Sequence, residues 1–133
     1  MNPFLNAVIE VNPDAMKIAK TLPKELKTQP LYGIPILVKD NIATKGKMNT
    51  TAGNPSLLSA RPKDDAEVVK RLRRAGAIIL GKANLSEMSS FLGSGDKPGF
   101  STRGGQTKNL YLESGEVWGQ VQDLQWPFQQ TWQ

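Results

Sequence analysis

Residues 34–41 read IPILVKDN, a nearly continuous apolar run that stops at a cation, an anion and an amide. A short run without polar alternation is how a strand covered on both faces reads. The segment is expected to form a central strand with Lys39 and Asp40 at its carboxyl end. In open α/β sheets that end is where ligands gather.

The flanking sequence fits an α/β layering around that strand. Residues 6–11 (NAVIEV) predict a second strand, and Asn12-Pro13-Asp14 starts a helix over residues 14–21. Residues 23–30, polar and bounded by prolines, predict a surface connector. Residues 42–61 are rich in Thr, Gly, Asn and Ser and predict a long loop over the sheet, of a length that is often functional.

The clearest helical signal lies at residues 64–75. Asp64 and Glu67 have capping-box spacing, and Ala66, Val69 and Leu72 form an apolar stripe that Val68 extends. Arg71, Arg73 and Arg74 suit the carboxyl end of the helix dipole, and Gly76 supplies a stop. Residues 77–80 then predict a buried strand, Gly81-Lys82 a turn, and residues 84–91 a short helix capped by Asn84. Residues 93–105 are glycine-rich and predict a flexible or tightly turning segment.

The 133 residues include no cysteine and no histidine. A disulfide framework, thiolate chemistry, the usual zinc ligands and the commonest general base are therefore excluded. No cofactor and no metal are expected, and catalysis would rest on Lys, Ser, Thr or carboxylates. No window is apolar enough to span a bilayer, and the first residues lack the basic start and apolar core of a signal peptide. The net charge of +5 has two readings. One is a solvated helix face; the other is non-specific attraction to nucleic acid or anionic lipid.

A lysine at the end of an apolar strand is a candidate base, because burial disfavours the ammonium and brings its neutral form into reach. Lys39 could then take a proton from a hydroxyl nucleophile. An ordinary surface charge or ion-pair partner fits the same position. Residues 103–106 (RGGQ) stand between a loop packed near the site and a loop without special role, while Asp40 and Asn41 suit orienting Lys39 or ending the strand.

Three collinear blocks decide between classes: GIPILVKDNIATKGKMNTTAG, DDAEVVKRLRRAGAIILGKANLSEMSSF and STRGGQTKNLY. Together they resemble the amidase signature family, over about Phe4 to Tyr111. The resemblance implies a partial α/β fold, a mixed sheet with flanking helices and an incomplete core. It implies hydrolysis of a linear amide C–N bond, with a small amide as substrate in complete relatives and no specific nucleic acid partner. Family members use a Ser, a second Ser on a cis peptide and the Lys of a KD motif. Lys39 alone matches those three positions. Ser86, Ser89, Ser90, Ser94 and Ser101 fall outside the family's serine positions and read as caps, turns or surface hydroxyls.

Residues 1–111 thus read as the N-terminal part of an amidase domain and residues 112–133 as a non-family tail, expected to be poorly ordered or loosely docked. The tail holds all three tryptophans and most of the glutamines. Joining the last base of each codon from Trp118 to the first two of the next allows the reading Gly-Ser-Ser-Ser-Gly-Ser-Ala-Met-Ala-Val-Ser-Ala-Asn-Met-Ala. The family places such a Gly/Ser block at this point. These residues are therefore expected to be a truncated family member, inactive alone. Two competing expectations are a non-catalytic basic binding protein, for nucleic acid or a protein partner, and a piece that does not fold stably because its central strand lacks neighbours.

Overall fold

A computed structural model describes residues 2–90, 98–109, 111 and 117. Besides three short 3-10 segments, the described helices and strands are, in chain order, α1 (Asn2–Leu5), β1 (Val8–Val11), α2 (Ala15–Thr21), β2 (Pro35–Lys39), α3 (Glu67–Arg74), β3 (Ile78–Ala83), β4 (Phe100–Ser101) and β5 (Gly105–Gln106). The expected α/β class and mixed sheet are present. In the main sheet β3 lies between β1, antiparallel to it, and β2, parallel to it. A second, two-stranded ribbon joins β4 to β5.

The core follows from the β2–α3–β3 crossover. Val69 and Leu72, three apart on α3, face the sheet and pack with Val38, Met48, Ala77 and Ile79. Leu31, Ile36, Ile42 and Ala66 close the rim. Val68 is 39% exposed and does not belong to the stripe. Gly76 ends α3 as expected, with φ +87°. A Cβ there would stand 2.8 Å from the Tyr32 Cα, so both the left-handed turn and the close approach require glycine.

Several expectations are corrected. The strand expected within residues 34–41 forms over Pro35–Lys39, but among the described residues β2 is at the edge of the sheet and β3 is its centre, so β2 is only partly buried. Ile34 just before it is 45% exposed. The first strand starts at Val8 because Asn6 turns with φ +52° after α1. Residues 24–28 make a 3-10 turn within the predicted connector. The Asp64–Glu67 capping box does not form: Ala66 is the N-cap, and Asp64 instead accepts from the Asp65 N–H and pairs with Lys70 at 2.6 Å.

Gly81-Lys82 is no turn. Both residues lie inside β3, where Gly81 pairs with Val11 on one side and Leu37 on the other. A Cβ on Gly81 would stand 2.4 Å from the Glu10 carbonyl oxygen, so the glycine serves close strand approach. The register slips by one residue between Ile36 and Leu37, a bulge that leaves Leu80 unpaired with β2. The helix expected at residues 84–91 is reduced, over its described part, to a distorted 3-10 turn at Glu87–Ser90. Met88, Ser89 and Ser90 have φ values of +48°, +56° and +64°, a left-handed turn, and Asn84 caps nothing. Apart from the buried Val117, residues 112–133, expected to be poorly ordered or loosely docked, lie outside the described residues.

Candidate active site at the carboxyl end of β2

Lys39 is the last residue of β2 and pairs in register with Ala83 of β3. Its side chain is half-buried, and burial lowers the ammonium pKa from 10.5. Among the described residues its amine has no hydrogen bond and no ion pair. A lysine so placed combines a weakened hold on its proton with an amine free to meet another group.

Asp40 is completely buried. Its Oδ2 accepts from the Thr51 hydroxyl and, at 3.0 Å, from the Gly53 N–H, while Oδ1 lies 3.4 Å from Arg103 Nη1. Its backbone is fixed too, since its N–H donates to the Ala83 carbonyl and its carbonyl accepts from the Ala52 N–H. The chain leaving β2 is thereby sewn to the loop at residues 51–53. That loop runs over the sheet as expected, and its Gly53, with φ +79°, approaches Ser101 too closely for any Cβ.

Arg103 stands in the turn between β4 and β5 and is 12% exposed. One nitrogen serves Asp40 and the Thr51 hydroxyl, the latter at 3.2 Å, and the other forms an ion pair with Glu10 of β1. The Glu10 carboxylate also accepts from the Asn49 N–H at 3.1 Å and from its side-chain amide. Burial pushes the Glu10 carboxyl up, yet the hydrogen bonds from Arg103 and Asn49 outweigh it and the net shift is downward. Residues 103–106, left open between site loop and ordinary loop, thus touch the strand end through Arg103.

Lys82 is the residue that sequence reasoning missed. It is fully buried, and its ammonium donates to the Ile42 carbonyl and, at 3.0 Å, to the Thr50 hydroxyl. Burial drives its pKa down to about 8, against the attraction of Asp40 and Glu10. The available signal was the apolar run from Ala77 to Leu85, which resumes after Gly81-Lys82 instead of breaking there. The Lys82 shift has a measurable consequence. The unfolded lysine keeps its proton to about pH 10.5 and the folded one releases it near 8. The unfolded chain binds more protons in that window, so stability rises with pH across it, by up to roughly 3 kcal/mol. Lys82→Met is expected to remove most of that rise, as read from urea midpoints between pH 7.5 and 10.5; an unchanged slope would refute the assignment.

Three of the serines set aside on sequence grounds have structural duties. Ser101 donates to Asn84 at 2.7 Å and accepts from the Gly104 N–H, Ser86 accepts from the Gly99 N–H, and Ser89 accepts from Asn41. Ser94 lies outside the described residues. A separate cleft of about 170 Å³ between α2 and α3 does not include Lys39. Two of its three cations are paired, Lys47 with Asp14 at 2.7 Å and Arg73 with Asp65 at 3.0 Å, and Lys45 is the third. No group of His, Cys, Asp and Glu among the described residues could hold a metal ion, and no described helix is long and apolar enough to cross a membrane.

A family model described as Amidase matches residues 1–114. A probable amidase of Arabidopsis thaliana is 49% identical over 120 residues, a stretch that covers 86% of this chain and 23% of the plant protein. The crystal structure of peptide amidase from Stenotrophomonas maltophilia superposes with a TM-score of 0.77 at 50% identity, over 86% of this chain and 24% of that one. An amidase family protein from Bacillus anthracis gives a TM-score of 0.76 at 42% identity, over 82% and 22% of the two chains. The 133 residues span about a quarter of the length of each relative. The sheet, the Lys-Asp strand end and the glycine turns are thus part of an amidase-signature fold, and the chain belongs to the amidase family.

Proposed function

We propose that the ancestral chemistry of this chain is hydrolysis of a linear amide C–N bond, with Lys39 as the general base of a Ser-Ser-Lys relay. In such a relay the lysine takes a proton from the bridging serine, which activates the nucleophile and later returns a proton to the leaving amine. The observation that carries this reading is the half-buried Lys39 amine, without a partner among the described residues, at a strand end where the adjacent Asp40 is held by Thr51, Gly53 and Arg103. Relatives described as amidases, and a solved peptide amidase, supply the reaction class. The resemblance matches only Lys39 and neither of the two family serines, so these 133 residues alone are expected to be inactive.

The reading as a basic binding protein has less support. The cations of α3 are engaged by its own acids: Lys70 with Asp64, Arg71 and Arg74 with Glu67, and Arg73 with Asp65. With three carboxylates set against four cations, this face offers only a weak net field to a polyanion.

The test is release of ammonia or amine from a panel of linear amides. The 133-residue chain should release none, while a polypeptide continued in the shifted reading after codon 117, with its Gly/Ser block, should hydrolyse at least one. Activity of the short chain, or coding DNA over codons 111–133 that does not permit the shifted reading, would overturn this proposal.

A further inference from the structure

Asp40 is the charged group nearest to Lys39 along the chain, and a lysine beside a free carboxylate keeps its proton. Here the carboxylate is engaged elsewhere. Thr51, Gly53 and Arg103 hold it from the loop side, and Arg103 is itself anchored by Glu10 of β1. Lys82 of β3 is the other cation that these carboxylates attract. Two anions, Glu10 and Asp40, therefore meet two cations, Arg103 and Lys82, in one largely buried group without net charge. Lys39 stands outside it. Its proton is weakened by burial, and no charged group among the described residues adds to that effect.

We propose that Arg103 is a positioning residue for Lys39: by holding the Asp40 carboxylate in the loop-side network, it denies the adjacent amine a counter-ion and pins the strand end that carries it. The inference deepens the reading of Lys39 as a base and rests on it for its functional meaning. Its physical content is the coupling of three side chains. Arg103 suits this role because its planar fork serves Asp40 and Glu10 at once, which a lysine could not do.

The coupling is read on the intact 133-residue chain by competitive labelling with acetic anhydride across pH, resolved to Lys39 by mass spectrometry, with circular dichroism reporting the fold. Asp40→Asn leaves Arg103 with one carboxylate fewer, so the midpoint of Lys39 should fall below that of the wild type. Arg103→Met leaves the Asp40 carboxylate, still held by Thr51 and Gly53, without its counter-ion, so the midpoint should rise, by about one unit. The double variant should return close to the wild-type value. Unfolding moves Lys39 upward in every variant, so a fall in Asp40→Asn is a result that structural damage does not imitate. An unchanged or raised midpoint in Asp40→Asn, or a double variant that stays displaced, would overturn the proposal. These readouts follow a proton and not turnover, so the coupling stands or falls separately from the catalytic role of Lys39.

Discussion

Asn84→Ala should cost about 4 kcal/mol of folding stability, enough to remove most of what a small domain has. Asn84 is fully buried at the end of β3. Its amide donates at 3.0 Å to the Asn6 carbonyl, the Gly105 carbonyl and the Thr107 hydroxyl, and its Oδ1 accepts from the Leu85 N–H at 2.9 Å and the Ser101 hydroxyl at 2.7 Å. One side chain thus ties the α1–β1 connection and the β4–β5 ribbon to the centre of the sheet. Alanine would leave several of these partners buried without a hydrogen bond, and each such group costs roughly 1–3 kcal/mol. Gly104 packs so closely on the same amide that a Cβ would stand 2.4 Å from Oδ1, so this position requires glycine as long as Asn84 is in place. Urea denaturation gives the loss directly. Hydrogen exchange should show the amides of Leu85 and Gly104 losing protection first, and a loss below 1 kcal/mol would contradict the account.

The parts of this fold that were legible in the sequence are those governed by local chemistry. The apolar run before Lys39, the long polar loop after it and the glycine stop at Gly76 are each written in a few adjacent residues, and each is found. The three blocks carried the family assignment, because collinear segments at fixed separations constrain far more than one short pattern. What was not legible depends on partners distant in the chain. Gly81-Lys82 has turn composition, yet Gly81 answers to the Glu10 backbone and Lys82 to Ile42 and Thr50. Asn84 and Glu87 have cap spacing, but the Asn84 amide finds better-placed acceptors from residues 6 and 105. Asp64 has the spacing of a cap as well and is drawn instead to Lys70. In each case tertiary hydrogen bonds or charge displaced a local preference worth about 1 kcal/mol.

Lys39→Met, in a polypeptide that also carries the family serine blocks, is expected to lower kcat/KM for a linear amide by about a thousandfold. Methionine keeps the length and much of the apolar contact of the lysine stem, so the half-buried position should stay filled and the change should act on proton transfer. Lys39→Arg should be no better, because guanidinium does not give up its proton in a protein and cannot serve as a base. The pH profile separates this role from a structural one. The working form of the base is the neutral amine, so kcat/KM should rise with pH and level off at the Lys39 pKa, which burial places below 10.5. That rising limb should vanish in Lys39→Met, leaving a low rate without it. Because Asp40 is engaged by Arg103, Arg103→Met should move the limb to higher pH while Lys39 is still in place. A Lys39→Met variant that retains both its rate and the rising limb would remove Lys39 from the mechanism and pass the proton-transfer role to another group.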